Sequence, residues 1–369
     1  MITSHDGVVP RDRVIALFGG DYSGARLSFS FQRADGVRGG RYDVRMNMLR
    51  TFLVLTLALA CLTARAARPV NAECLIPSKP GGAMDLTCKL AQKGLQGEAG
   101  APQLTLRYLP GGVGAVAWHT MVSQRRSEPN TLVAFSGGSV LNLAEGKFGK
   151  ADVGDVRWVA AFGADYGMVA VPADSPYRTL RELMDVLRRD PKRVLVGMSG
   201  TVGSQDWIKM ALLARVAGID PRKLRFVALE GGGEQFIAMQ AHLVQAVSGD
   251  ASEALLYAGP GKVRVLAVLS EQRLPGLLAN VPTAREQGYD VVWPVIRGVW
   301  MGPDVPEADY RRWVAAFSHM ETRRDFVQMR ERAGLYPFAL TGDALTRHVK
   351  QVEDTYRQQV RDFKLVRER

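Results

Sequence analysis

The chain has 369 residues, with 48 Lys and Arg against 37 Asp and Glu, and therefore a formal net charge of +11. Residues 1–72 contain 10 of the basic and 5 of the acidic residues, so the rest has a net charge of +6, which favours anionic ligands only weakly. The basic residues are spread over helical patterns without interleaved aromatic residues or a recognisable nucleic-acid-binding module, which argues against DNA or RNA as a partner.

A secretory leader is predicted at residues 46–72. Arg50 precedes an apolar run over residues 52–62, and small side chains at 64–66 and at 70–72 each suit the −3 and −1 positions of a signal peptidase site. The run has 11 residues, whereas a membrane-spanning helix needs about 20. We therefore expect a signal peptide that is cleaved and a soluble mature chain in the periplasm.

Residues 1–45 do not fit a leader, because a signal sequence normally begins a chain and this segment is rich in Arg and Gly without periodicity. We expect that translation starts at Met46 or Met48, so that 1–45 is a mis-assigned upstream extension. The alternative is a disordered extension.

The predicted export to an oxidising compartment decides how the three cysteines are interpreted. Cys61 lies in the apolar run of the leader and would be removed with it, unless it is the lipid-carrying residue of a lipoprotein. Cys74 and Cys88 are then the remaining pair, and two cysteines in an exported protein favour a disulfide, which would contribute about 3 kcal/mol. Two buried free thiols are the alternative.

Short apolar runs alternate with helical patterns after the leader, which predicts an α/β fold with mostly parallel sheets covered on both faces. About 297 residues follow the leader, enough for two domains, and the lack of a low-complexity linker favours strands that cross between them. The predicted strands are 74–77, 104–109, 131–136, 158–162, 168–171, 194–198, 225–229, 244–248 and 263–268, and the predicted helices include 85–95, 115–124, 180–188, 205–216 and 234–241.

The C-terminal segment has a different pattern. From Asp343, apolar residues recur at steps of three and four, which predicts one long amphipathic helix packed across a sheet. Its apolar stripe consists of Leu345, Val349, Val352, Tyr356, Val360 and Phe363.

Three glycine-rich turns, at 78–85, 198–206 and 136–139, join predicted strands to helices. Helix N-termini beyond the carboxyl ends of parallel strands present unpaired amides to anions, so these turns are candidate anion sites. A purely steric role in joining strand to helix is the alternative. One helix end contributes about 0.3 to 1 kcal/mol, whereas micromolar affinity needs about 8 kcal/mol, so several donors would have to act together.

Signals for catalysis are weak. The segment 200–204 is not a G-x-S-x-G nucleophile elbow, none of the turns is a phosphate-binding loop or dinucleotide fingerprint, and the histidines are scattered. We predict no catalytic residue, cofactor or metal site.

Five segments together carry a family resemblance. The chain resembles the substrate-binding proteins of tripartite tricarboxylate transporters, the periplasmic Bug receptors, from about Glu73 to its C-terminus. The segments are 80–85 (PGGAMD), 200–204 (GTVGS), 231–234 (GGGE), 261–268 (GKVRVLAV) and 281–288 (VPTAREQG).

The resemblance implies a two-lobed periplasmic binding protein, or Venus-flytrap, fold. Lobe 1 would comprise residues 73–172 plus 292–369 and lobe 2 residues 173–291, with crossing strands as the hinge. The ligand's carboxylate would be held mainly by backbone amides of the first two turns, while Asp250 and Tyr166 would face its distal end. The implied ligand-binding residues are Gly81, Gly82, Ala83, Met84, Asp85, Ser136, Tyr166, Gly200, Thr201, Val202, Gly203, Ser204, Asp250 and Arg297.

The cysteine pair and the segments 203–206 and 292–298 look like the branch that contains tricarboxylate receptors. In that branch Arg297 could contact a carboxylate with charge-assisted bonds; a structural salt bridge is the alternative. Two residues depart from the family pattern: Ala83 stands where a third glycine is common, and Trp207 where histidine is frequent. Both could reshape the pocket.

The resemblance implies a monomeric, non-enzymatic receptor that captures a small di- or tricarboxylate such as citrate and delivers it to the membrane permease subunits of a tripartite transporter. A sensor that signals to a membrane kinase shares the same pocket and is the alternative. A periplasmic hydrolase using Ser204 is a further, weaker hypothesis.

Overall fold

The computed structural model describes residues 72–99, 101–257 and 261–365. The predicted upstream extension and, except for Ala72, the predicted signal peptide lie outside the described residues. Ala72 is the first residue of a strand, is buried, and donates its N–H to the carbonyl of Gln103 at 3.3 Å. None of the described helices is both long and apolar enough to cross a bilayer.

The described ranges contain ten strands and ten α-helices. The strands are β1 (Ala72–Ile76), β2 (Leu104–Tyr108), β3 (Thr131–Ser136), β4 (Arg157–Pro172), β5 (Leu195–Ser199), β6 (Arg225–Leu229), β7 (Ala246–Asp250), β8 (Val263–Leu269), β9 (Pro294–Met301) and β10 (Leu340–Thr341). The helices are α1 (Ala83–Gly94), α2 (Ala115–His119), α3 (Gly137–Ala144), α4 (Leu180–Arg189), α5 (Gln205–Val216), α6 (Gly232–Gln240), α7 (Ala251–Tyr257), α8 (Glu307–Thr322), α9 (Arg324–Arg332) and α10 (Gly342–Asp362).

Two sheets share the long strand β4. In sheet A, β1 pairs in parallel with β2 and β3, and β9 lies antiparallel between β3 and β4. In sheet B, β5 pairs in parallel with β6 and β7, while β7 and β8 run antiparallel to β4. The expected two-lobed α/β fold is confirmed, with antiparallel pairs concentrated around the strands that cross between the lobes.

We call β1–β3, β9 and β10 with α1–α3 and α8–α10 the sheet A half, and β5–β8 with α4–α7 the sheet B half. Strand β4 belongs to both, because residues 157–166 pair with β9 and residues 167–172 pair with β8. The residue limits of the two lobes that the sequence analysis gives stay a prediction.

The expectation of separate strands at 158–162 and 168–171 is wrong, because β4 runs through both. The intervening residues are paired as well: Gly163 lies opposite Arg297 and Asp165 opposite Val295. Glycine at 167 is required by packing, since a Cβ there would lie 2.6 Å from Cδ of Lys209. Small residues in this stretch therefore allow close packing around a continuous strand.

The predicted C-terminal helix is confirmed as α10. Leu345, Val349 and Val360 are fully buried, and the helix packs against α3 and β4. Other apolar clusters cover the opposite face of sheet A, beneath α1, α8 and α9, and one face of sheet B, beneath α6 and α7. Each sheet is thus covered on both faces, as the alternation of strands and helices predicts.

Cys74 of β1 and Cys88 of α1 form a disulfide, with their Cα atoms 5.7 Å apart and both side chains fully buried. This confirms the pairing and excludes the alternative of two free thiols. The bond ties the strand to the helix on either side of the first glycine-rich turn.

Candidate ligand-binding cleft

Helix N-termini from the two halves face one another. A Cβ added to Gly82, before α1, would lie 3.5 Å from the backbone nitrogen of Gly232, the first residue of α6. A Cβ added to Gly138, in the first turn of α3, would lie 2.9 Å from the side-chain oxygen of Gln205, the first residue of α5. Glycines of the first and third turns therefore lie where the sheet A half contacts the sheet B half.

The first turn is held by side chains from both halves. Gly81 has a left-handed φ of 89° and donates its N–H to Oδ2 of Asp85 at 2.8 Å. The hydroxyl of Tyr257 donates to the carbonyl of Gly81 at 2.7 Å, and Lys79 pairs with Glu234 at 2.6 Å. Asp85 therefore accepts a backbone N–H of the turn that precedes its own helix. Tyr257 of α7 and Glu234 of α6 bind the same turn from the sheet B half.

Glu253 of α7 reaches the start of α1. The backbone N–H of Ala83 donates to Oε1 of Glu253 at 2.9 Å, and the side chain of Glu253 is almost completely buried. Burial raises the pKa of Glu253 to about 8, and the negative charges of Asp250 and Asp206 add to the effect. One of the amides predicted to hold a ligand is thus bonded to a carboxylate of the chain.

The second turn also contacts the opposite half. Gly203, with a φ of 87°, packs its Cα against the carboxylate of Glu145, which pairs with Lys147 at 2.6 Å. Burial raises the pKa of Glu145 to about 7, although Lys147 acts in the opposite direction. Thr201 and Val202 help to line a cavity of about 1170 Å³. The charged residues that line this cavity are Glu145, Lys147, Lys150, Asp152, Arg357 and Lys364.

Two hydroxyl groups of the candidate site cap helices. The Oγ of Ser136 accepts the N–H of Gly138 at 3.1 Å as part of a capping box at the start of α3. The Oγ of Ser204 accepts the N–H of Trp207 at 3.5 Å at the start of α5. Each serine is thus the N-cap residue of the helix that follows it.

A buried charge network lies where the two sheets meet. The guanidinium of Arg297 lies 2.9 Å from Oδ2 of Asp165 and also bonds Asp250. Nζ of Lys209 lies 2.6 Å from Oδ1 of Asp250 and 2.7 Å from Oδ1 of Asp206. Burial opposes the ionisation of Asp250, but Lys209 and Arg297 outweigh it and lower the pKa of Asp250.

The remaining candidate residues are distributed around this network. Asp250 ends β7 and accepts a hydrogen bond from the side-chain amide of Gln205 at 3.1 Å. Tyr166, on β4, packs edge-on against Tyr336 with ring centroids 5.5 Å apart. A Cβ added to Gly200 would lie 3.5 Å from Cγ1 of Val113, just before α2.

The structure therefore gathers the first turn with α6 and α7, and the second turn with residues 145–147. Met84 lies half-buried in the first turn of α1. Among the described residues, no group of three or more His, Cys, Asp and Glu side chains is placed to hold a metal ion.

Sequence reasoning missed Glu253, Tyr257, Glu145 and Lys209. For two of these residues the sequence contains a signal that could have identified them, namely a charged residue inside an otherwise apolar helical stretch. Glu253 stands in ASEALLY and Lys209 in DWIKMALL. Their buried positions depend on residues far along the chain, which a periodicity analysis does not include.

The fold and the cleft define a two-lobed solute-binding protein of the periplasmic type. Residues 115–363 match the family model described as the tripartite tricarboxylate transporter family receptor. The chain belongs to this family, so it is a solute-binding receptor of that class.

Two curated relatives have names that state no ligand. The chain is 20% identical over 308 residues to a UPF0065 protein of Bordetella pertussis, covering 82% of this chain and 93% of that protein. It is 28% identical over 130 residues to a UPF0065 protein in the gbd 5' region of Cupriavidus necator, covering 35% and 38%.

Solved structures share the fold. MatC from Rhodopseudomonas palustris with bound malate has a TM-score of 0.69 at 20% identity, covering 79% of this chain and all of that one. Another R. palustris protein, solved with adipate, has a TM-score of 0.71 at 17% identity, covering 80% and 98%. The periplasmic binding protein BugD has a TM-score of 0.71 at 15% identity, covering 80% and 98%. At these identities the likeness shows the fold alone.

Proposed function

We propose that the protein is exported to the periplasm, captures a small di- or tricarboxylate in the cleft, and delivers it to the membrane permease subunits of a tripartite transporter. The observation that carries this proposal is the meeting of helix N-termini from both halves, at Gly82 with Gly232 and at Gly138 with Gln205. The backbone amides and the dipole at a helix N-terminus favour an anion. A di- or tricarboxylate can bind several such helix ends at once.

The comparisons support a carboxylate as the ligand. Two proteins that share this fold have been solved with malate and with adipate, both dicarboxylates. Citrate is the tricarboxylate that the sequence resemblance favours. The family description names a transporter, which supports permease subunits over a sensor kinase as the membrane partner.

Within the cleft, we propose ligand-binding roles for the amides of Gly82, Ala83 and Met84 in the first turn and of Thr201 and Val202 in the second. Arg297 is bonded to Asp165 and Asp250, which supports the structural alternative that the sequence analysis left open. We therefore assign Arg297 to the buried network rather than to direct ligand contact.

We also propose that the protein is not an enzyme. Ser204, the nucleophile of the hydrolase hypothesis, caps α5 through its Oγ. This serine therefore has a structural role that needs no reaction at its hydroxyl.

Thermal denaturation of the mature protein with its disulfide intact tests the function. Citrate, malate and adipate are added in separate series, with glucose as a neutral control. A ligand at 100 times its Kd stabilises the folded state by about 2.7 kcal/mol, a clear shift in Tm. Stabilisation by none of the three acids would contradict the proposal.

A further inference from the structure

Glu253 makes the contact that a bound carboxylate is expected to make. It lies on α7 in the sheet B half, and it accepts the N–H of Ala83 at the start of α1 in the sheet A half, at 2.9 Å. Ala83 begins a 12-residue helix, whose N-terminus carries partial positive charge. A carboxylate of the chain thus binds the amide that the family resemblance assigns to the ligand.

The backbone around Glu253 leaves room for this carboxylate. A Cβ on Gly232 would overlap the carboxyl group of Glu253, and a Cβ on Gly82 would lie 3.7 Å from its Oε1. Glu253 therefore lies between the N-termini of α1 and α6. These helix ends favour a carboxylate at this position, but burial of Glu253 and the charges of Asp250 and Asp206 raise its pKa to about 8, so the group is ionised only at alkaline pH.

We propose that Glu253 is a resident carboxyl group of the cleft: it occupies a carboxylate position at the N-terminus of α1, and a ligand's carboxylate binds there by displacing it. This inference rests on the proposed function and makes Glu253 the residue that sets the affinity for carboxylates. A ligand gains the bond to Ala83 only after the bond to Glu253 is broken.

Two further observations support the inference. At the second turn, Glu145 of the sheet A half packs against Gly203 of the sheet B half, so each of the two turns meets a glutamate from the opposite half. On the first turn of α6, the side chain of Gln235 is fully buried, and neither its nitrogen nor its oxygen has a hydrogen-bond partner among the described residues. Buried polar groups normally have partners, so a polar group of a ligand could satisfy Gln235, whose amide nitrogen would lie 2.5 Å from a Cβ added to Gly249 near the end of β7.

The first arm of the test uses Glu253→Ala with acetate. Acetate has the carboxylate and one methyl carbon, which match the Cδ and Cγ that this substitution removes. If Glu253 occupies an anion site, 50 mM acetate should raise the Tm of E253A by about 2 °C or more and leave the Tm of wild type unchanged. Glu331→Gln, which changes an exposed carboxylate on α9, is the matched control and should respond as wild type does. Absence of acetate stabilisation in E253A would overturn the proposal.

The second arm measures malate binding by calorimetry for wild type, E253A, E253Q and E331Q at pH 9, where Glu253 is ionised. E253A and E253Q should bind malate about 10-fold more tightly than wild type, a difference of about 1.4 kcal/mol, because both variants lack the negative charge that competes with the ligand at that pH. E253Q keeps the size of the side chain and serves if E253A does not fold. Equal malate affinity in all four proteins would overturn the proposal and leave the receptor function intact.

The two arms separate the two proposals. Acetate stabilisation of E253A without binding of malate, citrate or adipate by any variant would support the resident-carboxyl site and contradict the carboxylate-receptor function. Absence of acetate stabilisation together with no binding of malate, citrate or adipate by any variant would overturn both.

Discussion

The guanidinium of Arg297 on β9 lies 2.9 Å from the carboxylate of Asp165 on β4, and both side chains are almost completely inaccessible to solvent. Because Arg297 also bonds Asp250 of β7, it joins the strand shared by the two sheets to strands of each sheet. A pair of opposite charges in such a place is sensitive to the loss of either partner.

We expect Arg297→Ala to destabilise the protein by about 3 to 5 kcal/mol, because Asp165 and Asp250 would keep buried charge without this partner. Urea unfolding followed by tryptophan fluorescence measures the change. Arg332→Ala, which removes an exposed arginine of α9, is the control and should stay within about 0.5 kcal/mol of wild type. A stable R297A protein that had lost citrate binding would instead assign Arg297 to the ligand.

Gly232→Ala should displace Glu253 without changing any charge. A Cβ at 232 would overlap the position of the Glu253 carboxylate, so we expect a loss of about 1 to 3 kcal/mol in stability and, because a ligand's carboxylate would take the same position, weaker malate binding than in E253A. Gly231→Ala is the control, because the backbone at 231 is extended and the nearest atom to an added Cβ is 3.9 Å away. Similar malate affinities for G231A and G232A would show that the ligand's carboxylate does not bind at the position of Glu253.

Stability should fall with rising pH through the titration of Glu253. Burial raises its pKa from 4.5 to about 8, so its contribution is fully present below pH 4.5 and is lost as pH rises through about 8. The groups that face it are Asp250 and Asp206, which raise its pKa, Arg297, which lowers it, and Tyr257, whose own pKa is raised.

Urea unfolding at pH 5 and pH 8 tests this sign. Wild type should lose more stability between these values than E253Q, in which the group does not titrate, while E331Q should follow wild type. Parallel pH profiles for wild type and E253Q would show that Glu253 is ionised at both pH values.

Removal of the disulfide should cost about 3 kcal/mol, since it closes a loop of 14 residues. The double substitution Cys74→Ser and Cys88→Ser tests this by urea unfolding, because it leaves no buried single thiol. The malate affinity of the double variant reports whether the bond also positions the first turn. Unchanged stability after both substitutions would contradict a stabilising role.

The sequence was sufficient for features that depend on neighbours along the chain. Alternating strands and helices indicated sheets covered on both faces, the spacing of Leu345, Val349 and Val360 predicted α10, and two cysteines in an exported chain indicated one disulfide. In each case the signal is local periodicity or composition, so it can be detected without knowing which distant residues will meet.

Only the tertiary structure decided what the glycine-rich turns contact. Ala83 and Glu253 are 170 residues apart, and Asp165 and Arg297 are 132 apart. Whether a charged side chain can be buried depends on whether a partner from another strand or helix lies beside it, and neither periodicity nor composition predicts that contact. The sequence by itself therefore determined the class of fold and predicted which amides bind an anion, whereas packing of the two halves decided that a glutamate of the chain holds one of those amides.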